Sequence, residues 1–314
     1  MSSGNIHVTT FYRFLPMDEA KLCFVQESLL NAMLEQQMKG LVLVAPEGVN
    51  GTVAGSDAAI LEFKEQIKSL FPGIEIGFKD SVCDEMPFRW TNVDRRDEIV
   101  GLKKPELVPG EFENNHLSPS EWHKKLTSGE EIQLIDTRNV FETKIGKFKG
   151  AIDPGLTKFS EWGAYLDSAP LEKDKPTLIY CTGGIRCEKA ILEMQQRGFE
   201  KVYQLRDGIL GYLAEYPEAE YEGECFVFDE RVAVDQNLQP TEKFGICPGC
   251  GLTSDIRLKC DWCARQYFTC ESCQQSRLNA CCKTCLDRLG RHGKDKAPMR
   301  SSQNSEPMYL RRRQ

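Results

Sequence analysis

At 314 residues the chain exceeds one ordinary hydrophobic core and predicts two compact domains plus something smaller. Its 40% hydrophobic and 28% charged content is that of a soluble globular protein, which excludes a fibre or a wholly disordered chain. The net charge of −7 is unevenly spread: residues 243–314 hold 14 Lys and Arg against 6 Asp and Glu, so a stretch of +8 follows a body of −15, suited to a polyanion or simply to solvation.

The first segment, residues 1–95, reads as strand, helix, strand, strand, helix, strand. Ile6–Phe14 is a β-branched and aromatic run, and Leu22, Val25, Leu29 and Met33 share one helical face before a stop at Gly40. Leu41–Ala45 and Thr52–Ala54 predict two strands, with a turn at Glu47–Gly51 signalled by Asn50-Gly51. Ser56 caps a second helix carrying Ile60, Phe63, Ile67 and Leu70, and Ile74–Phe78 is the expected closing strand. That order implies a ferredoxin-like, acylphosphatase-like α+β domain.

Residues 96–117, with Lys103-Lys104-Pro105 and Pro109-Gly110, predict a connector. A capping box, Ser118-Pro119-Ser120-Glu121, opens the next domain over 118–222. There the strands Ile132–Ile135, Thr177–Tyr180 and Val202–Leu205 alternate with helical stretches near 159–168 and 187–198, the pattern of a parallel α/β sheet covered on both faces. An extended segment, 223–243, is expected to pack back on the body. Residues 244–290 form a cysteine-rich module, and 291–314, ending in Arg311-Arg312-Arg313, predict a disordered basic tail.

No run of about 18 apolar residues occurs, and the start MSSGNIHVTTFYRF lacks the layout of a signal peptide. The expectation is a cytoplasmic chain without membrane contact. In a reducing compartment its 14 cysteines are metal ligands or reactive thiols rather than disulfides. Cys23 and Cys83 have no partner at motif spacing and take no role, and Cys225, in an apolar strand-like run, is expected to be a packing residue.

Tyr180-Cys181-Thr182-Gly183-Gly184-Ile185-Arg186-Cys187 lies between a buried strand and a helix. Free backbone N–H groups converge at such a turn and favour negative charge, two glycines let the loop curl closely, and Arg186 adds a cation. A thiol at Cys181 is therefore expected to be a nucleophilic thiolate. Cys187 is a candidate resolving thiol, or else a small buried residue on the helix.

A cysteine opening a six-residue turn with glycine fourth and arginine sixth resembles the rhodanese active-site loop. Asp136-Thr137-Arg138, which would support the loop, and Gly146 with Lys149-Gly150-Ala151-Ile152 extend the likeness. Thr182 stands where many rhodaneses carry arginine, which argues against ordinary thiosulfate specificity. Together, Cys181–Ala190, Glu47-Gly48-Val49-Asn50-Gly51-Thr52 and Gly223-Glu224-Cys225-Phe226-Val227-Phe228-Asp229 resemble the rhodanese-containing tRNA uridine hydroxylase family over roughly residues 5–265. The resemblance implies oxygen-dependent 5-hydroxylation of the wobble uridine, with tRNA as partner, molecular oxygen as co-substrate and Cys181 as the required cysteine. No flavin, haem or nicotinamide fingerprint is evident, and His7, His116, His123 and His292 are too scattered to predict an iron site. A persulfide sulfurtransferase acting through Cys181 is the competing enzyme reading. A non-catalytic rhodanese and zinc adaptor is the third, but an adaptor has no need of the complete cradle.

Four Cys-x-x-Cys pairs follow: Cys247/Cys250, Cys260/Cys263, Cys270/Cys273 and Cys282/Cys285. Each supplies two corners of a tetrahedron, so the eight predict two structural zinc sites in a zinc-ribbon or cross-brace module. Each four-thiolate site would lower the +8 by two. Sequential and crossed pairing are both open, and Cys281 could replace Cys282.

Overall fold

The computed structural model describes residues 5–110, 115–276 and 279–292. The chain divides into two bodies, Met1–Cys225 with Val234–Pro240 and Phe226–Ala233 with Thr241–Gln314, so the segment 223–243 is shared between them. The predicted basic tail lies, from residue 293 on, outside the described residues.

The first body opens with β1 (Ile6–Phe14), α1 (Glu19–Glu35), β2 (Lys39–Ala45), β3 (Gly48–Gly55), α2 (Asp57–Leu70) and β4 (Phe78–Cys83). Sheet order β4-β1-β3-β2 is the ferredoxin-like arrangement, extended by β5 (Thr91–Arg95) running parallel to β2. Side chains of Asp18 and Ser56 cap the two helices by accepting the N–H of Lys21 and Ala59. The predicted apolar faces of α1 and α2 are buried together with Phe11, Val42 and Val53.

Two local expectations are corrected. Asn50-Gly51 lies inside β3, opposite Leu43 and Val42, and the hairpin turns at Pro46-Glu47 instead. The asparagine serves its side chain, whose Nδ2 donates to the Ile99 carbonyl at 3.0 Å. The glycine serves close packing, since a Cβ there would lie 2.9 Å from Val42 Cγ2 and 3.0 Å from Phe11 Cζ. The last strand is Phe78–Cys83, not Ile74–Phe78. Ile76 is apolar because it is buried in the core, and pairing with β1 begins only where Phe78 meets Phe11.

The second half of this body runs β6 (His116–Leu117), α3 (Pro119–Thr127), β7 (Gln133–Asp136), α4 (Val140–Thr143), β8 (Gly146–Phe148), α5 (Trp162–Ser168), β9 (Thr177–Tyr180), α6 (Ile185–Gln196), β10 (Val202–Leu205), α7 (Gly208–Glu215) and β11 (Tyr221–Gly223). Its parallel sheet has the order β6-β10-β9-β7. The capping box forms as expected: Ser118 Oγ accepts from Glu121 N, and Glu121 Oε2 accepts from Ser118 N at 2.8 Å.

Between the two halves, the connector is packed rather than loose. Leu102 and Leu107 enter the core formed by Ile135, Ile179, Trp162 and Met194. Ile99 is gripped through its backbone, its N–H by Glu47 Oε1 at 2.7 Å and its carbonyl by Asn50. Lys189 of α6, fully buried, sets its Nζ 2.6 Å from both Glu47 Oε2 and Glu98 Oε1. Burial pushes the Glu47 carboxyl above its usual range, against the opposing pull of Lys189.

This junction generates a stability prediction. Lys189→Met removes the cation that faces Glu47 and Glu98, and stranding the buried Glu47 carboxylate costs about 3–5 kcal/mol. Urea unfolding of the full chain should show that loss; an unchanged midpoint would mean that the backbone N–H groups alone satisfy the two carboxylates.

Candidate active site and metal centres

Strand β9 delivers Cys181 to the mouth of helix α6, and the loop Cys181–Gly184 turns between them. Gly184 makes the turn possible at a backbone φ of 97°, and its N–H then donates to Cys181 Sγ at 3.1 Å. The outer side of the loop is held by α7, where the N–H of Ile209 and Leu210 donate to the carbonyls of Cys181 and Thr182 at 3.0 and 3.1 Å. Ile185 opens α6. Above Gly183 the loop is open, for a Cβ there would meet nothing within 4 Å.

The electrostatics resolve a competition. Burial alone would raise the Cys181 thiol, which is 2% exposed. A hydrogen bond from the Cys187 thiol, the Arg186 charge and the backbone N–H groups of Arg186 and Gly184 outweigh it and bring Cys181 down to about 6. Cys187 moves the opposite way: burial and the neighbouring Cys181 hold its proton on, and it packs beside Thr137 Oγ1 at 3.7 Å. Of the two thiols, Cys181 is thus the more acidic and Cys187 the one that keeps its proton.

Arg186 does not stand alone in the cradle. Glu142 of α4, fully buried, pairs with it at 2.8 Å and also accepts from Thr182 Oγ1 at 3.3 Å. Sequence reasoning missed Glu142, since an acidic residue in a one-turn helix gives no spacing signal. Asp136 and Arg138 form a buried bidentate pair, with Arg138 Nη2 also donating to Gly146 O at 2.6 Å. The Arg138 guanidinium lies over the ring of Tyr180, so the pair braces the residue before Cys181 rather than touching the thiol.

In the second body the cysteines gather into two groups, Cys247, Cys250, Cys270 and Cys273, and Cys260, Cys263, Cys281 and Cys285. Pairing is crossed, first with third and second with fourth. The first two pairs sit in matching hairpin turns: Cys247 N donates to Leu252 O and Cys260 N to Arg265 O, each at 2.8 Å. Sulfur separations of 3.6 Å for Cys250–Cys270 and 3.4 Å for Cys263–Cys281 approach the edge of about 3.8 Å that a tetrahedron with metal–sulfur bonds of about 2.3 Å requires. Both groups can hold a metal ion.

Cys281 replaces the predicted Cys282 in the second group. The helix Lys283–His292 explains the exchange. Cys282 stands at its N-cap, where its sulfur accepts the Cys285 N–H at 3.5 Å, while Cys281 turns its sulfur to Cys285 Sγ at 3.5 Å. Among the described residues no helix is long and apolar enough to cross a membrane.

Residues 6–99 match the UPF0176 acylphosphatase-like domain, 119–215 the rhodanese-like domain and 222–286 the rhodanese C-terminal family. A tRNA uridine(34) hydroxylase of Bdellovibrio bacteriovorus is 46% identical over 293 residues, covering 92% of this chain and 83% of that one. The enzyme of the same name from Legionella pneumophila is 40% identical over 74% of this chain and 92% of its own length, and that of Agrobacterium fabrum 37% over 88% and 87%. With the thiolate cradle set in a rhodanese-like domain and the likeness running through all three regions, the chain belongs to the tRNA uridine(34) hydroxylase family.

Proposed function

We propose that this protein hydroxylates C5 of the wobble uridine of tRNA, with molecular oxygen as the oxygen source and the Cys181 thiolate as its reactive group, in the cytoplasm. The observation that carries this reading is the cradle itself: a buried thiol brought down to about 6 by aimed donors is prepared for chemistry rather than for packing. The pairing of Arg186 with Glu142 tells against sulfur transfer from thiosulfate, because the loop's cation is already met by a carboxylate. Family relatives supply the substrate; the residues supply the thiolate. Cys187, as hydrogen-bond donor to Cys181, would also be the thiol that resolves an oxidised Cys181.

The two cysteine groups would hold zinc, whose preference for four thiolates in a closed tetrahedron fits the donor set. Such ions supply folding free energy to the second body and take no part in the reaction. Basic residues flanking the groups, Arg257, Lys259, Arg265 and Lys283, suit contact with the tRNA backbone.

Complementation, thiol alkylation and metal analysis test these assignments. In cells lacking the protein, wild type but not Cys181→Ser should restore 5-oxygenated uridine at position 34, with label from ¹⁸O₂ in the product; restoration by the serine variant would exclude Cys181 chemistry. Alkylation of Cys181 by iodoacetamide should rise with pH and reach half its maximum near pH 6, because the thiolate is the reacting form above that value. Cys187→Ala removes a hydrogen bond to the thiolate, so its midpoint should move upward. For the metal, elemental analysis should find about two zinc ions per chain. Cys281→Ser should lose one of them while Cys282→Ser keeps both, and the reverse pattern would restore Cys282 as the ligand.

A further inference from the structure

We propose that Tyr12, contributed by the N-terminal domain, forms a wall of the base site at Cys181 and selects uracil by accepting its N3–H. This inference deepens the hydroxylase reading and rests on it.

Phe11 faces the helices, so its neighbour Tyr12 on β1 projects from the opposite face of the sheet. From there Tyr12 Oη donates to Glu188 Oε1 at 2.9 Å, one residue past Cys187 on α6. It lies at the cradle: a Cβ built on Gly184 would come within 2.9 Å of Tyr12 Oη, while one on the preceding Gly183 would meet nothing within 4 Å. Lys79 of β4 fixes the ring, with Nζ 4.9 Å from its centroid and 3.1 Å from Asp207 Oδ1, and Asp207 precedes the helix α7 that holds the loop.

The direction of the Tyr12 hydrogen bond decides what a substrate meets. Although burial opposes it, hydrogen bonds from His116 Nε2, Gln204 Nε2 and Tyr12, the two ring and amide contacts both at 2.9 Å, keep Glu188 a carboxylate. Burial, Glu188 and the Cys181 charge together hold the Tyr12 proton on. A carboxylate can only accept, so the single phenolic proton is committed to Glu188. What remains toward the cradle is oxygen lone pairs. Uracil offers an N–H at position 3, whereas cytosine offers a lone pair there, so an acceptor at this point favours uracil and repels cytosine.

The test is a cycle of two proteins and two substrates. Anticodon stem-loops carrying uridine or 3-methyluridine at position 34 are offered to wild type and Tyr12→Phe, and kcat/KM and dissociation constants are both measured. Wild type should prefer uridine by about tenfold or more, and Tyr12→Phe should lose about tenfold on uridine while staying within about twofold on the methylated base. A stem-loop with cytidine 34 should bind wild type more weakly than the uridine form, and Tyr12→Phe should narrow that gap. Glu188→Leu, which removes the acceptor and so no longer commits the phenolic proton, should erode the same preference. A purely structural Tyr12 would lower both substrates equally; that result, or an undiminished preference in Tyr12→Phe, overturns the proposal. If wild type turns over no uridine at all, the hydroxylase reading fails, and the dissociation constants still decide the wall.

Discussion

The buried contact of Lys189 with Glu47 and Glu98 is the constraint on which the rest of the first body depends. It fastens helix α6 to the ferredoxin-like domain and to the connector at once. A buried ammonium tolerates no approximate partner, because unpaired charge in the interior is expensive. The sheet face bearing Tyr12 is thereby held over the N-terminus of the same helix, where the cradle lies. One helix thus does two things: the N–H groups and Arg186 at its start stabilise a thiolate, and Glu188 and Lys189, which follow directly, fix the neighbouring domain.

The cradle shows how a buried group is kept charged. Desolvation disfavours the thiolate, and several small favourable contributions overcome it: a thiol hydrogen bond, a guanidinium and two peptide N–H groups. None requires a bound cofactor. Glu142 tempers the Arg186 charge and occupies Thr182, so the loop is built less as a general anion trap than as a seat for one sulfur anion.

The second body follows a different physical logic. Its elements are short hairpins and helices with a small apolar cluster built around Cys260, Trp262, Cys282, Cys285 and Leu289. Elements of that size bury too little surface to be stable alone, and metal ions held by the two cysteine groups would make up the difference. Crossed pairing ties each early hairpin turn to a later cysteine pair, so that both groups span the module rather than stapling neighbours.

Local chemistry determined much of this protein from sequence alone. Helical spacing in α1 and α2, the caps at Ser56 and Ser118, the strands Thr177–Tyr180 and Val202–Leu205, and the cysteine loop all depend on near neighbours in the chain, and each is legible there. Cys-x-x-Cys spacing likewise gave two four-cysteine groups. Which pairs combine, and whether Cys281 or Cys282 joins them, depended on where a helix starts and which way each sulfur points. Asn50-Gly51 carried a turn signal, but contacts with Ile99, 49 residues away, and close packing against Phe11 placed it in a strand. Glu142, Lys189 and Tyr12 left no pattern to read, since a buried charge or a wall residue is defined by partners that only the folded chain brings within about 3 Å.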